Sequence, residues 1–496
     1  MDGITCDLGK RRTWVEAEPS PCFPDIRLLT SDLGVSAMQA VLLVDFGSTY
    51  TKVTIVDLET ERIIGTAQAG TTIETNMMEG LHQALEKIPE PRDGWQFVRK
   101  LACSSAAGGL KMVASGLVKE LTAEAARRAA LGAGARVLQV FSYELSASDQ
   151  EKIGALKPDI LLLAGGTDGG NKEILLKNAE HLAELPFSIP VVVAGNKVVA
   201  LQAAEILRKR HHPVVVAENV MPELNVLAVD SARLAIREVF LDNIIHAKGL
   251  DKAEEFMERV LMPTPAAVLS AAELLAQGFD DEAGLGELLI VDVGGATTDV
   301  HSLAQGEPSK PGVMLKGLPE PYAKRTVEGD LGMRYSALAL GEAVGKRLAK
   351  HLGWTEEKVH RQLELYVAEP WRVPESEEES SFDTAMGRLA VELAVERHVG
   401  RIEVVYTPFG ASYIQQGKDL TPLPVVIGTG GVLLRNAQPL GILAGAVFNP
   451  AEPTLLKPQE PEFYLDKDYI LAAMGLLREI SPLAALRMMK KYLVKI

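Results

Sequence analysis

An internal repeat of one short motif constrains the fold of this 496-residue chain more than any other feature. Residues 42–53 read LLVDFGSTYTKV and residues 289–300 read LIVDVGGATTDV, about half the chain apart. Val44, Asp45, Gly47 and Val53 of the first copy recur as Val291, Asp292, Gly294 and Val300 of the second. The repeat predicts two similar hairpins, each with an apolar strand that ends in Asp.

Each copy of the motif has the residue types that suit a nucleotide phosphate. A turn rich in Gly, Ser and Thr follows the Asp, and the next strand runs back antiparallel. Glycine lets the backbone approach a phosphate closely, and turn N–H groups and hydroxyls donate to phosphate oxygens. The Asp can hold Mg²⁺, often through water, because Mg²⁺ takes few protein carboxylates. Two ordinary glycine-containing hairpins are the structural alternative.

A third glycine-rich turn follows the apolar segment 424–427 and offers bare backbone against which adenine and ribose could lie. Alone it could equally be the loop that starts a helix. We predict Asp45, Asp292 and Asp299 as catalytic residues, with Asp45 and Asp292 as Mg²⁺ ligands. The predicted nucleotide-binding residues are Gly47, Ser48, Thr49, Gly294, Gly295, Thr297, Gly428, Gly430 and Gly431.

Short β-branched runs alternate with helical runs from Met38 onward, which predicts an α/β fold. Residues 1–37 contain several prolines and no clear hydrophobic period, so we expect a disordered or poorly packed extension. The remaining chain is divided into residues 38–285, a first lobe with insertions, and residues 286–496, a second lobe. A C-terminal helical segment is expected to return toward the first lobe.

Composition excludes several classes of protein. The chain carries 51 Lys and Arg against 66 Asp and Glu, a net charge of −15, which disfavours binding to nucleic acid or an anionic membrane. Neither an apolar run of about 18 residues nor a signal peptide is present, so we expect a cytoplasmic protein. Three cysteines exclude a disulfide scaffold and fit a reducing cytoplasm. The P-loop motif is absent.

The two Asp–Gly hairpins and the third glycine-rich turn resemble the actin, sugar kinase and heat-shock-chaperone ATPase superfamily over residues 40–480. That resemblance implies two actin-like (ribonuclease H-like) lobes around a central nucleotide cleft. It identifies residues 45–52 and 292–299 as the two phosphate motifs and residues 428–431 as the adenosine motif. It also implies two crossing helices of small residues, which begin near residues 264–267 and 472–475.

One position departs from the superfamily pattern. Chaperone ATPases of the superfamily carry an acid just before the first crossing helix, where this chain has Met262. Asp168 and Asp299 are candidate substitutes, although Asp168 also suits a turn between a strand and a helix.

Segments 104–110, 165–172, 218–222 and 324–332 resemble the GlmL/MutL family more narrowly. This family accompanies adenosylcobalamin-dependent aminomutases such as glutamate mutase and is unrelated to the mismatch-repair protein that shares the name. The resemblance implies an ATP-dependent reactivating factor with ATP and Mg²⁺ as cofactors. Its expected partner is an adenosylcobalamin-dependent mutase.

Other functions on the same fold remain open at this stage. A small-molecule kinase would transfer phosphate to a sugar or acid, and a scaffold would bind nucleotide without hydrolysing it. An electron-donating activator ATPase would need cysteines to bridge a cluster, and Cys103 is the only cysteine inside the predicted fold. Arg325, Glu328 and Asp330 could contact a nucleotide or partner, or could form surface ion pairs.

Overall fold

The structure, a computed structural model, describes residues 38–47, 49–71, 77–88, 95–105, 110–241, 257, 259–408 and 410–496. The predicted extension at residues 1–37 and the candidate Ser48 lie outside the described residues. Within the described ranges, no helix is long and apolar enough to cross a membrane.

The first sheet begins with a strand that is buried on both faces. In β1 (Met38–Phe46), Leu42 and Val44 pack in one hydrophobic core, and Val41 and Leu43 pack in another. Side chains alternate between the faces of a strand, so an uninterrupted apolar run can serve a core on each side. The repeat motif therefore starts at the centre of the molecule.

The remaining elements of the first sheet follow in short succession. The chain continues through β2 (Tyr50–Asp57), β3 (Arg62–Gly70), α1 (Met77–Glu86) and β4 (Trp95–Ser104). Strands β1, β2 and β3 pair antiparallel, whereas β4 runs parallel to β1.

An inserted domain with a five-stranded parallel sheet then interrupts the first sheet. Its strand order is β6-β5-β7-β8-β9. The strands are β5 (Lys111–Gly116), β6 (Arg136–Ser142), β7 (Ile160–Leu163), β8 (Val191–Val193) and β9 (Val214–Val216). The helices are α2 (Glu124–Gly132), α3 (Ala147–Leu156), α4 (Glu173–Ala183), α5 (Ala200–Arg208) and α6 (Asp230–Val239). The chain returns to the first sheet as β10 (Arg259–Pro263), parallel to β4.

The second half of the chain builds another large sheet after helix α7 (Thr264–Gln277) and a small ribbon of β11 (Gly278–Phe279) and β12 (Glu282–Ala283). Its strands and those of a small third sheet are β13 (Leu288–Val293), β14 (Thr298–Leu303), β15 (Val313–Leu315), β16 (Ala323–Glu328), β17 (Arg401–Thr407), β18 (Gly410–Gln416), β19 (Val425–Thr429), β20 (Glu462–Leu465) and β21 (Val494–Lys495). The helices are α8 (Ala337–Val344), α9 (Arg347–Leu352), α10 (Glu356–Ala368), α11 (Glu377–His398), α12 (Gly431–Arg435), α13 (Pro439–Leu443), α14 (Leu471–Leu477) and α15 (Pro482–Tyr492).

The two large sheets share one topology. The first has the order β3-β2-β1-β4-β10, and the second has β16-β14-β13-β19-β20, with β21 added at its edge. In each sheet the first three strands are antiparallel neighbours, and the last two run parallel to the strand that carries the Asp. This equivalence confirms the predicted α/β fold with two similar lobes.

Helices α7 and α14 cross between the two sheets in a shared hydrophobic core. A Cβ atom on Gly475 would lie 1.9 Å from the carbonyl oxygen of Ala267, so the two backbones touch there. Only glycine allows this approach. The small residues that the sequence places in both segments therefore set the distance between the helices.

Candidate nucleotide-binding cleft

A cleft of about 660 Å³ opens between the two phosphate hairpins. The structure brings most of the predicted site residues to its walls, namely Asp45, Gly47, Thr49, Asp292, Gly294, Gly295, Thr297, Asp299 and Gly431. Gly428 is buried behind the wall, where a Cβ would lie 2.7 Å from Leu443 Cδ1. The hairpins of both lobes thus face one space, as the repeat predicted.

Asp45 lies at the end of β1 and is almost completely buried. Its Oδ1 accepts a hydrogen bond from Thr264 Oγ1 at 2.5 Å and lies 3.6 Å from Cys103 Sγ. Its Oδ2 is 3.4 Å from the ammonium of Lys52, the facing position on β2 in the hairpin. Because Thr264 is the first residue of α7, the Asp45 carboxylate connects the phosphate hairpin directly to a crossing helix.

Lys52 lies between the two lobes. Its Nζ lies 3.4 Å from the centre of the ring of Tyr469, a residue of the loop that leads into α14. Burial by itself would lower the pKa of the Lys52 ammonium, but the neighbouring oxygens of Tyr469 and Asp45 raise that pKa overall. Lys52 therefore stays cationic and supplies a positive charge at the floor of the cleft.

Asp292, the counterpart of Asp45, lacks such partners. Its Oδ1 is buried without a hydrogen bond to any described residue. The pKa of the Asp292 carboxyl is raised to about 7, mainly because the group is buried and also because the charge of Asp299 is near. Gly430, at a φ of +107°, fits tightly beside it, since a Cβ there would lie 2.7 Å from Asp292 Oδ1. The third glycine turn thus packs against the second phosphate hairpin.

Asp292 lines the cleft and has a carboxylate oxygen without a partner among the described residues, which fits a Mg²⁺ ligand. Among the described residues, no group of three or more His, Cys, Asp or Glu side chains is placed to hold a metal ion. Mg²⁺ bound with nucleotides commonly takes one or two carboxylates and completes its shell with water and phosphate oxygens. Asp45 and Asp292 both line the cleft and stay the predicted Mg²⁺ ligands.

Asp299 is engaged with a side chain that the sequence left open. Arg325 on β16 binds Asp299 Oδ1 through Nη2 at 2.5 Å and Nε at 3.0 Å, and Thr297 Oγ1 donates to Oδ2 at 2.9 Å. The same guanidinium donates to the carbonyls of Leu131 and Ala135 at 3.2 and 2.9 Å. Arg325 therefore connects the second phosphate hairpin to the inserted domain, and a catalytic role for Asp299 stays a prediction.

The other residues of that charged cluster form ion pairs at the surface. Glu328 and Asp330 both bind Arg397, at 2.7 Å each. The side chains of Arg397 and Asp330 are 38% and 41% exposed, so that pair is solvated, whereas Glu328 is 16% exposed and burial raises the pKa of its carboxyl. Of the three residues weighed in the sequence, only Arg325 reaches the cleft.

Sequence reasoning missed Tyr469, which lines the cleft, and Asp466, which is buried close to it in the chain. Tyr469 and Asp466 come from the loop after β20, where only an Asp after an apolar run gave a signal. Asp466 accepts hydrogen bonds from Thr429 Oγ1 at 3.0 Å and from the N–H of Ile470 at 2.9 Å, which joins the end of β19 to the start of α14. These contacts hold Tyr469 over Lys52.

The acid that chaperone ATPases carry before the first crossing helix is replaced by Met262, which is buried in β10. Asp168, one of the two candidate substitutes, lies away from the cleft. Asp168 belongs to the inserted domain, where its Oδ1 accepts hydrogen bonds from the N–H of Lys197 and from Asn219 Nδ2, both at 3.0 Å. It is not among the residues that line the cleft.

Cys103 is fully buried, and burial raises the pKa of its thiol.

Two sheets of one topology, with an Asp–Gly hairpin from each on a shared cleft, define the two-lobed fold of the actin, sugar kinase and heat-shock-chaperone ATPase superfamily. The chain belongs to the MutL protein family, whose model matches residues 41–493. It is 58% identical over 462 residues to Protein MutL of Clostridium tetanomorphum, a match that covers 92% of this chain and 100% of that protein.

Two solved structures with the same coverage of this chain are distant in sequence. One is the activator of the 2-hydroxyisocaproyl-CoA dehydratase from Clostridium difficile with bound ADPNP, at 11% identity, with 91% of this chain and 97% of that chain covered and a TM-score of 0.29. Another is xylulose kinase from Bifidobacterium adolescentis, at 13% identity, with 91% and 93% covered and a TM-score of 0.28. The fold assignment rests on the strand order of the two large sheets.

Proposed function

We propose that this protein is a chaperone-like ATPase that binds Mg-ATP in the cleft and acts on a protein partner. We propose further that the partner is an adenosylcobalamin-dependent mutase such as glutamate mutase, and that ATP hydrolysis drives the exchange of damaged cobalamin. The observation that carries the ATPase proposal is the pair of equivalent carboxylates, Asp45 and Asp292, on one cleft. Membership of the MutL family supports the choice of partner.

Each group in the cleft has a defined task in this proposal. N–H groups of the turns that follow Asp45 and Asp292 donate to phosphate oxygens, apart from those of Gly47 and Gly294, which donate to the carbonyls of Tyr50 and Thr297 at 3.1 and 2.9 Å. The Lys52 ammonium neutralises phosphate charge from between the lobes. Mg²⁺, held by Asp45 and Asp292 with water, would supply further charge neutralisation. Phosphoryl transfer depends mainly on such positioning and charge stabilisation.

The contacts of the two hairpins suggest how nucleotide state reaches the partner. The hydrogen bond from Thr264 to Asp45 links the first phosphate hairpin to helix α7, which crosses α14 at Gly475. Arg325 links the second phosphate hairpin to the inserted domain. A change in lobe closure would therefore move both the crossing helices and the inserted domain. Binding shifts a conformational equilibrium only if the two states bind with different affinity, so the affinity for the partner must differ between the nucleotide states.

A binding and reactivation assay tests the proposal. Affinity for an adenosylcobalamin-dependent mutase should differ by about tenfold or more between the ADP and ATP states, which corresponds to about 1.4 kcal/mol. A mutase blocked with an inert cobalamin should regain activity only with this protein, ATP, Mg²⁺ and fresh coenzyme together. Asp292→Asn should abolish recovery, and Glu180→Gln, an exposed change on α4, should leave it intact.

The alternatives give different outcomes in the same experiments. Phosphate transfer to an added sugar or acid would favour a small-molecule kinase. Tight ATP binding without turnover would favour a nucleotide-binding scaffold. Equal partner affinity in both nucleotide states, with no recovery of the blocked mutase, would contradict the reactivation proposal while leaving the nucleotide site intact.

A further inference from the structure

Arg136 brings a positive charge into the cleft from the inserted domain. It is the first residue of β6, it lines the cleft, and its side chain is exposed. The guanidinium lies against the backbone that follows β16, since a Cβ on Gly329 would be 3.3 Å from Arg136 Nη2. None of the described residues forms an ion pair or a hydrogen bond with this guanidinium. Its donors are therefore available to a ligand in the cleft.

The edge of the second large sheet that faces the cleft shows which part of a nucleotide Arg136 would meet. Along this edge lie, in order, Gly430 after β19, Asp292 near the end of β13, Asp299 near the start of β14 and Gly329 after β16. Neighbouring strands are about 4.8 Å apart, so three strand spacings, roughly 14 Å, separate Gly430 from Gly329. A nucleotide whose adenosine lies at Gly430 and whose phosphates pass Asp292 therefore directs its terminal phosphate toward β16 and Arg136.

The other cations that line the cleft either have side-chain partners or lie on the adenosine side. Arg435 ends α12, directly after the adenosine turn, and Lys467 follows β20, the strand beyond β19. The cations with partners are Lys52, Arg325, Arg334 and Arg372, which pair with Asp45, Asp299, Asp383 and Glu379. In the part of the chain that the structure describes, Arg136 is thus the cation left free on the phosphate side.

The backbone beside Arg136 is fixed relative to both phosphate hairpins. The carbonyl of Ala135 accepts a hydrogen bond at 2.9 Å from Arg325, which also binds the second hairpin. Gly134 lies against α7, since a Cβ there would be 3.0 Å from the backbone nitrogen of Ala266. Helix α7 is in turn hydrogen-bonded to the first hairpin through Thr264. The inserted domain therefore holds Arg136 in a defined place beside the phosphates.

We propose that the Arg136 guanidinium donates hydrogen bonds to the terminal phosphate of ATP and thereby distinguishes ATP from ADP. This inference rests on the nucleotide site proposed above. The planar guanidinium presents several N–H donors in a fork that matches phosphate oxygens. ADP lacks the terminal phosphate, so it leaves the guanidinium without a partner. Because Arg136 belongs to the inserted domain, the contact ties that domain to the cleft only while the terminal phosphate is present.

Calorimetric titration of the full chain with Mg-ADP and with Mg-ADPNP, a non-hydrolysable ATP analogue, tests the contact. The wild type should bind ADPNP more tightly than ADP. Arg136→Gln should raise the Kd for ADPNP about tenfold or more and change the Kd for ADP less than about twofold, because a hydrogen bond to a charged group contributes that much. Arg136→Lys keeps the charge but loses the fork, so its Kd for ADPNP should fall between the two.

Two controls separate this contact from damage to the fold. Gln139→Ala, an exposed change further along β6, should alter neither Kd. Arg136→Gln should leave the unfolding temperature of the nucleotide-free protein unchanged, because the guanidinium has no partner there among the described residues. If Arg136→Gln weakens ADPNP and ADP by the same factor, or neither, the inference is wrong while the nucleotide site stands. A wild type that binds neither nucleotide would overturn the proposed function as well.

Hydrogen exchange tests the link to the inserted domain. The backbone amides of β6 should exchange more slowly with ADPNP bound than with ADP bound, because the contact restrains local opening of the strand. This difference should be absent in Arg136→Gln at saturating nucleotide and present in Gln139→Ala. Equal exchange of β6 in the two nucleotide states of the wild type would contradict the link.

Discussion

Replacing Asp292 with Asn should stabilise the nucleotide-free protein and remove its affinity for Mg-ATP. Burial and Asp299 raise the pKa of the Asp292 carboxyl from its ordinary 3.8 to about 7. About three pH units at about 1.4 kcal/mol each make the ionised carboxylate unfavourable by up to about 4 kcal/mol in the folded protein. The raised pKa means that the folded chain holds the proton more tightly than the unfolded chain does. The cost therefore grows as the pH rises from about 4 to about 7 and is constant above that range.

Thermal unfolding of the nucleotide-free protein and calorimetric titration with Mg-ATP measure the two effects. Asp292→Asn should unfold at a higher temperature than the wild type at pH 8, with a smaller gain at pH 5. It should bind Mg-ATP far more weakly at pH 8. Asp230→Asn, at a side chain that is 88% exposed on α6, is the matched control and should change neither quantity. A lower unfolding temperature for Asp292→Asn at pH 8, or undiminished Mg-ATP binding, would refute this reasoning.

Three further substitutions test the contacts that form the cleft and hold its two lobes together. Gly475→Val puts side-chain atoms where a Cβ already lies 1.9 Å from the Ala267 carbonyl oxygen, so thermal unfolding should show a loss of about 1–3 kcal/mol or more. Lys52→Met should raise the Kd for ATP about tenfold or more in calorimetry while the circular dichroism spectrum is unchanged. Arg325→Met should cost about 3–5 kcal/mol in urea unfolding because it leaves the Asp299 charge unpaired, and adding Asp299→Asn should recover part of that loss. A double variant no more stable than Arg325→Met alone would contradict the ion-pair explanation.

The sequence also leaves predictions that the structure does not test. The division of the chain at residues 285 and 286 stays a prediction, as do the roles of the site residues and the poor packing of residues 1–37. A chain that begins at Met38 should keep its unfolding temperature and its nucleotide affinity. A fall of several degrees would show that residues 1–37 pack against the folded core.

The pattern of residues along the chain determined the duplicated architecture and the two facing carboxylates. The strand period, the Asp at the strand end and the glycine turn are local features, and local geometry is encoded by neighbouring residues. Two copies of such a pattern specify two similar lobes wherever the intervening chain runs. The resemblance to the superfamily implied that α7 and α14 cross at small residues, and the contact between Gly475 and Ala267 agrees with it.

Only the tertiary structure decided how the two carboxylates differ. Asp45 is held by Thr264, Lys52 and Cys103, whereas Asp292 is left with an unpartnered oxygen, although both stand in the same motif. Lys52 belongs to the same hairpin as Asp45, but Thr264 and Cys103 come from 219 and 58 residues away, so no local pattern predicts their contacts with Asp45.

The same limit applies to the links between lobes. Arg325 meets the inserted domain at Ala135, 190 residues away in sequence, and Tyr469 meets Lys52 from the other half of the chain. Burial is a property of the whole packed structure, so the raised pKa of Asp292 could not be predicted from its neighbours in sequence. The local sequence determines the two hairpins. The packing of distant segments determines that Asp45 has side-chain partners and that Asp292 keeps an oxygen without one.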